Sequence, residues 1–532
     1  MTYRRIFRTP VFRSTGVSFL VVAVFFLLNI LREKNDLVHN DVGWYLYGAE
    51  RLIHGATLYR DVVDLNPPLI YFINLPPVWL ATFLGVPATA VYKGFIFLLI
   101  CVALILCQLI LRRLNHAWHE EAKSFTFIMI AFLLILLAAG NFGYKGTSFG
   151  QREHIMMILV IPYLLASIAR AEGIESSNAI KVLIGLFAGI GIAIKPHFVL
   201  VWLMTEGYLF AVCRNRHTWK SPESIIILSI LISYWLVVGV FFPDYIAFGL
   251  KAAQVYGAYD TTFYELLTQQ TTILWLIAIV ILLATRSDRN GRHAPELFFV
   301  AGTSLLIAAL FQRKGWGYQY YPSRVALLLS LGFLFTFRLQ HLKWFSKLRL
   351  MTVAILLMIF VAVKVTVESF VRPLPGSILS LSHFVQEDAK GKSVMFLSTV
   401  SEPQFPFVNY AHVGWTSRFT CLWFLPHFYG GVSVQPDKPF PYHKPHEMSL
   451  LEKGFFDEVI FDIVVGRPDL LFNDIGDVKY PFGQTRFNFL EYYSMDSRFA
   501  SLLHEYRLVG SIDRFAVYKR GISDPRSPII QR

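Results

Sequence analysis

The sequence is poor in charge and poor in cysteine. Only 16% of its 532 residues are Asp, Glu, Lys or Arg, against roughly 25% in an ordinary soluble domain, and that shortage excludes a chain bathed mostly in water. Its four cysteines, Cys101, Cys107, Cys213 and Cys421, offer no metal cluster and no disulfide framework. The chain contains no glycine-rich phosphate loop and no His-Glu-x-x-His, so nucleotide-driven chemistry loses support. Internal repeats and low-complexity tracts are absent. No Asn-x-Ser/Thr sequon occurs, in keeping with a bacterial source.

What is there is apolar. Hydrophobic residues make up 55% of the chain, with 47 phenylalanines, and the apolar runs are long enough to cross a hydrocarbon layer that needs about 20 helical residues. Hydropathy and charge together predict about eleven spans, near 15–31, 91–111, 124–141, 154–170, 180–194, 197–213, 223–242, 271–285, 295–311, 323–339 and 351–371. The net charge of +13 raises the question of nucleic acid. The cations cluster instead in short turns between apolar runs, which is the positive-inside pattern, and no nucleic-acid partner is expected.

Arg4, Arg5, Arg8 and Arg13 precede the first apolar run, and no small-residue cleavage site follows it. We read a retained first helix with a cytoplasmic N-terminus. Alternating sides from there puts Arg112, Arg113 and Lys123 inside, then Arg170, then Arg214, Arg216 and Lys220. Arg286, Arg289 and Arg292 follow, and then Lys343, Lys347 and Arg349. The expected location is a bacterial inner membrane.

The same alternation places outside a first loop at 32–90, loops near 143–153, 241–271 and 312–322, and everything after Arg372. Within the first loop, Val42, Tyr45, Leu46, Ala49, Leu52 and Ile53 recur at helical spacing after Asp41, an N-cap type residue. A second apolar segment, Leu69 to Leu84, contains Pro76 and Pro77 and is expected as a broken helix in the membrane interface. The tail alternates turns with β-like runs at Ser393–Val400, Glu458–Val465 and Tyr506–Tyr518, which predicts a soluble α/β domain over 372–532 after a membrane domain over 1–371.

The residues that could carry chemistry fall in those outer segments. Asp41, just beyond the first span, could take a proton from an acceptor hydroxyl, or simply cap its helix. Asp61 and Asp64, ahead of Asn66-Pro67-Pro68-Leu69, could orient a substrate or a metal; turn formation is the plainer account. Gln151, Arg152, Glu153 and His154 crowd the mouth of the fourth span, where polar groups need water or protein partners. Lys195, in the outer turn Lys195-Pro196-His197, runs against the charge rule and could bind phosphate; snorkelling at the turn is the alternative. The stretch from Gln312 to Pro322 holds Arg313, Lys314, Trp316, Tyr318, Tyr320 and Tyr321, cations for phosphate and flat faces for a sugar, or an aromatic belt at the interface.

This layout resembles the GT-C glycosyltransferases, in particular the protein O-mannosyltransferases and the lipid A aminoarabinose transferases. The likeness covers about residues 15 to 371 and rests on the first-loop acid, the Pro-Pro-Leu and the outer-hairpin Lys. Asn66-Pro67-Pro68-Leu69 is similar to the Lys-Pro-Pro-Leu of the aminoarabinose transferases with Asn in place of Lys, and Gln319 stands where the family often has His. The resemblance implies a GT-C fold, Asp41 as catalytic carboxylate, Glu153 as a second-loop acid and Lys195 as a phosphate contact. It further implies a polyprenyl-phosphate sugar donor, inversion at the anomeric carbon and release of the carrier phosphate.

The function expected is therefore transfer of sugar from a polyprenyl-phosphate donor to an extracytoplasmic glycan, lipopolysaccharide or protein. Asp41 acts as base, and Lys195 with Arg313 or Lys314 stabilises the leaving phosphate. Arg152, Glu153, Asp61, Asp64, Asn66, Tyr318 and Tyr320 bind or orient substrate, and a divalent cation is an open cofactor. A transporter or flippase of lipid-linked saccharide and a noncatalytic envelope scaffold are the rival readings; the crowding of ionisable residues on one outer face argues against the transporter.

Overall fold

The computed structural model describes residues 37–117, 148–212, 220–284, 293–338, 391–432, 438–484 and 486–521, with the single positions Leu27, Ile30 and Leu381. The spans expected at 15–31, 124–141 and 351–371 lie outside the described residues, as do most of the inner cations and Cys213. The protein is mostly helical (66%) with a small sheet domain toward its C-terminus.

The helices in chain order are α1 (Asn40–Ile53), α2 (Leu69–Leu84), α3 (Ala88–Ala117), α4 (Arg152–Ala171), α5 (Asn178–Ala193), α6 (Val199–Val212), α7 (Pro222–Phe241), α8 (Pro243–Val255), α9 (Phe263–Leu267), α10 (Gln270–Ala284), α11 (Ala294–Phe311) and α12 (Tyr321–Arg338). The tail adds α13 (Gln404–Ala411), α14 (Leu425–Tyr429), α15 (Leu450–Gly466), α16 (Phe489–Tyr493) and α17 (Ser497–Leu503). Its strands are β1 (Ser393–Leu397), β2 (Gly414–Trp415), β3 (Leu470–Asp474), β4 (Val478–Lys479), β5 (Gly483–Gln484), β6 (Tyr506–Ile512) and β7 (Phe515–Arg520).

The chain divides into two compact units, one of Met1–His39, Ala90–Phe241 and Asp260–Arg372, the other of Asn40–Thr89, Phe242–Tyr259 and Pro373–Arg532. The first outer loop thus groups with the tail, a partnership that hydropathy had no means of showing.

In the helical unit, four helices among the described residues are long and apolar enough to cross a membrane: Ala88–Leu114, Arg152–Ala171, Pro222–Phe241 and Ala294–Phe311. Helix α5, at 16 residues, reaches only about 24 Å at 1.5 Å per residue, short of a hydrocarbon core of about 30 Å. α4 is buried almost throughout, whereas α7 leaves Leu236, Val240 and Phe241 exposed, as a lipid-facing helix should. α5 reaches α7 closely because Gly185 and Gly189 lie one turn apart on the same face. A Cβ on Gly185 would stand 2.9 Å from the Glu223 backbone, and one on Gly189 2.6 Å from Ile230 Cδ1. The outer segment expected as a loop at 241–271 contains helices α8 and α9, the latter closed by a Thr262–Glu265 capping box.

In the second unit, the buried face of α1 carries Val42, Tyr45, Leu46 and Ala49, at the spacing expected from the sequence. α2 runs unbroken from Leu69 to Leu84 with Pro76 and Pro77 inside it, which corrects the expectation of a broken helix. One face, through Ile70, Tyr71, Asn74, Pro77, Val78 and Ala81, is buried, and that packing holds the helix through the lost donors.

The tail forms a five-stranded sheet in the order β2-β1-β3-β7-β6 and a separate β4-β5 pair. β1 is parallel to β2 and β3; β7 is antiparallel to β3 and β6. Phe396 and Phe472 stack across β1 and β3 with ring centroids 4.2 Å apart. Two expectations are corrected. Glu458–Val465 lies in helix α15, because the Ser449 hydroxyl caps that helix and Phe456, Val459, Ile460 and Ile463 bury themselves at helical period. Tyr506–Tyr518 is two strands rather than one, turned at Asp513, whose φ is 53°.

Candidate functional site

Each unit carries part of the expected constellation. In the helical unit the organising residue is Lys195. Pro196 excludes the α region from the residue before it, so Lys195 sits at φ −139°, ψ 141° between α5 and the 3-10 turn Pro196–Phe198, off both helices. Its Nζ donates a 2.6 Å hydrogen bond to Glu153 Oε1. The side chains are 8% and 1% exposed, so this is a buried ion pair. Glu153 Oε2 is buried and has no hydrogen-bond partner among the described residues.

Around the pair stand Tyr318 and Phe198, with ring centroids 5.8 and 5.9 Å from Nζ. His39 meets Tyr318 edge to face at 5.8 Å, and Gln151 is hydrogen-bonded to the His39 ring. Arg152, buried, opens α4, and His197 lies in the field of both Lys195 and Arg152. The structure therefore brings Lys195, Glu153, Arg152 and Tyr318 together. Tyr320 instead packs with Leu306 and Ala309, its hydroxyl buried without a hydrogen-bond partner among the described residues.

The mouth of α4 is shaped by Gly150, at φ 73°. Tyr92 donates its hydroxyl to the Gly150 carbonyl, and the Gly150 amide donates to His154 Nδ1 at 3.0 Å. That second bond makes Nδ1 the acceptor, so in the neutral ring the proton is on Nε2.

Lys314 goes elsewhere. Its Nζ donates at 2.6 Å to Asp260 Oδ1, and Arg313 Nη1 lies 3.4 Å from Asp260 Oδ2. Burial pulls the Lys314 ammonium below the ordinary lysine value, against the field of Asp260. Arg313, 64% exposed in its side chain, faces solvent. The sequence reading paired these cations with phosphate and did not single out Asp260; the signal was available as the one acid in the 256–262 stretch of an outer loop.

In the second unit, α1 begins at Asn40, so Asp41 is a first-turn residue, half-buried, where the helix dipole favours a carboxylate. Asp64, 8% exposed, is the better-anchored acid. Oδ2 accepts from Tyr71 Oη at 2.6 Å and Asn66 Nδ2 at 2.7 Å, and Oδ1 accepts from the Leu65 amide at 2.6 Å. Asn66 thus serves Asp64, and Tyr59 donates to the Asn66 carbonyl at 2.7 Å. Asp61 is exposed and accepts from the Thr57 amide at 2.7 Å, the turn-forming role that was the plainer expectation.

Burial and the Asp64 charge push the Tyr245 hydroxyl up to about 12. Burial also pushes the Cys421 thiol up, with the Asp41 and Asp64 fields adding to it. The tail meets the first loop directly where the Val63 amide donates at 2.8 Å to the Arg418 carbonyl. Nothing in the order of residues signals this contact, since more than 350 positions separate the two segments.

A second buried charged group in the helical unit was also unforeseen. Arg170 meets Glu206 at 2.6 Å and Glu223 at 3.2 Å, and Tyr163 donates to Glu206 at 2.6 Å. Ionisable residues therefore do not crowd one face alone, contrary to the argument used above against a transporter. Among the described residues, no three His, Cys, Asp or Glu converge as a metal-ligand set. No family model matches the chain, and no curated protein matches it.

Proposed function

We propose that this protein is a membrane glycosyltransferase of GT-C type that takes sugar from a polyprenyl-phosphate donor on the extracytoplasmic side. The observation that supports it most is the buried Lys195–Glu153 pair, with Arg152 beside it and an aromatic wall of Tyr318 and Phe198. A lysine drawn out of two helices by Pro196 and enclosed by rings is a compact cationic centre, suited to a phosphate monoanion or dianion. The open Oε2 of Glu153 suits a sugar hydroxyl as donor.

In this reading the acceptor oxygen gives its proton to Asp41 and forms the new bond to the anomeric carbon. The bond from that carbon to the phosphate oxygen breaks, its electron pair leaves with the carrier, and Lys195 with Arg152 stabilises the charge. Asp64, already served by three donors, acts as a scaffold for the first loop. Lys314 is held by Asp260, and Arg313, exposed and 3.4 Å from the same carboxylate, is the outer-loop cation that meets headgroups. The eleven-span topology, the cytoplasmic N-terminus and the bacterial inner membrane belong to the same proposal.

The test is transfer from polyprenyl-phosphate mannose and polyprenyl-phosphate aminoarabinose by the purified full-length protein, wild type against Asp41→Asn and Lys195→Ala. Both variants should lose transfer. Wild-type rates in Asp41→Asn remove that residue as the base.

One observation favours a second reading, a carrier of lipid-linked saccharide: the buried Arg170–Glu206–Glu223 group. Movement of the donor across liposome membranes without any sugar transfer, abolished by Arg170→Gln, decides for the carrier.

A further inference from the structure

The turn of α1 that bears Asp41 is gripped on both sides by side chains from the C-terminal tail. We propose that Ser401 and Asn409 are positioning residues that set the direction of Asp41, which makes the tail a working part of the carboxylate site. The proposal rests on the reading of Asp41 as the base.

Asn40, immediately before Asp41, donates its side-chain amide to Ser401 Oγ. Asn409 Nδ2 donates at 3.0 Å to the carbonyl of Gly43, two residues after Asp41. The approach is close: a Cβ on Gly43 would stand 2.5 Å from Asn409 Oδ1 and 3.3 Å from Pro406 Cα, so a side chain at position 43 must displace the Asn409 carboxamide. Farther along α1, Trp44 meets Phe405 edge to face at 5.2 Å, and Tyr47 donates to the Trp415 carbonyl at 3.1 Å.

These contacts divide the labour. The aromatic ones fix the axis of α1 beyond Asp41. The two polar bonds bracket Asp41 itself. Ser401 and Asn409 direct their polar groups at Asn40 and at the Gly43 backbone, so they act through α1. A misplacement of about 1 Å in a reacting group costs up to about 100-fold in rate, and two such clamps are the means by which the fold prevents it.

The test uses the full-length protein in lipid nanodiscs, with Ser401→Ala, Asn409→Ala and the conservative Ser401→Thr. Amide exchange is read at Trp44–Tyr47, the first amides that can bond back to the carbonyls of Asn40–Gly43. Exchange there should quicken by about tenfold or more in both alanine variants and return toward wild type in Ser401→Thr. With polyprenyl-phosphate mannose or aminoarabinose as donor, kcat should fall by about 10- to 100-fold with donor KM unchanged. Adding Asn409→Ala to Asp41→Asn should cause no further loss. Unchanged exchange in both alanine variants overturns the clamp. Faster exchange with unchanged kcat overturns the positioning role, and full activity of Asp41→Asn overturns the base while the exchange result stands on its own.

Discussion

Lys195 and Glu153, on different helical segments, share a 2.6 Å hydrogen bond with both side chains out of water. Removing one member leaves the other charge buried without its partner, a loss of about 3–5 kcal/mol, whereas replacing both by apolar residues is close to neutral. Lys195→Ala should therefore lower the thermal midpoint of the detergent-solubilised protein sharply, and Lys195→Met with Glu153→Leu should recover most of it. The double variant should still fail in sugar transfer. Recovery of transfer along with stability would show that the pair is structural only.

Gly48 of α1 is the seat of the Tyr71 ring. A Cβ there would stand 2.7 Å from Tyr71 Cδ1 and 3.3 Å from Val62 Cγ1, so Gly48→Ala must move the ring whose hydroxyl serves Asp64. Overpacking of this kind costs about 1–3 kcal/mol. Tyr71→Phe keeps the ring and removes only the donor, at about 1–3 kcal/mol for the buried carboxylate. Differential scanning of the two variants should show both destabilised; a Gly48→Ala protein as stable as wild type rules out the close seat.

α5 and α7 touch through Gly185 and Gly189. Leucine at either position cannot be accommodated, because Gly185 faces the Glu223 backbone rather than a movable side chain. Gly185→Leu should abolish the monodisperse peak in size-exclusion chromatography, while leucine at Gly239 of α7, where a Cβ would meet nothing within 4 Å, should leave it intact.

The tail should carry an acid-sensitive cap. Asp496 accepts from the Arg498 amide at 2.8 Å and from its guanidinium at 3.0 and 2.8 Å. The Arg498 side chain, with the backbone bonds, holds the Asp496 carboxyl below the usual carboxylate value. A depressed folded value means that the unfolded chain binds the proton more readily, so the stabilisation is complete above about pH 4 and disappears as pH falls through the folded value. Asp496→Ala should cost about 1 kcal/mol near neutrality through loss of the N-cap. Thermal midpoints of wild type and variant should converge on acidification; a gap that stays constant down to about pH 3 contradicts the cap.

Much of this protein was legible along the chain, and the reason is period. Lipid-length apolar runs announced four crossing-competent helices, and Val42, Tyr45, Leu46 and Ala49 announced α1, because a helix buries residues three and four apart whatever lies opposite. Pro196 announced that Lys195 would stand off its helices, since the restriction is local. Glu458–Val465 misled for the complementary reason: β-branched residues favour strands only weakly, and the Ser449 cap with Phe456, Val459, Ile460 and Ile463 buried at helical spacing prevails over them.

Partnership was another matter. Composition marked out the cations and acids between apolar runs, but nothing in the order of residues assigns Lys195 to Glu153, Lys314 to Asp260, or Tyr71 to Asp64. Hydrogen bonds and ion pairs act over about 3 Å in space, and only the folded chain brings such groups within that range. The sequence by itself determined a mostly helical chain with helices long and apolar enough to cross a membrane and a sheet-bearing tail, since long unbroken apolar runs and short alternating ones leave different patterns. Tertiary structure alone decided that the loop bearing Asp41 and Asp64 belongs with that tail, where Ser401, Asn409 and Arg418 meet it from more than 350 residues away.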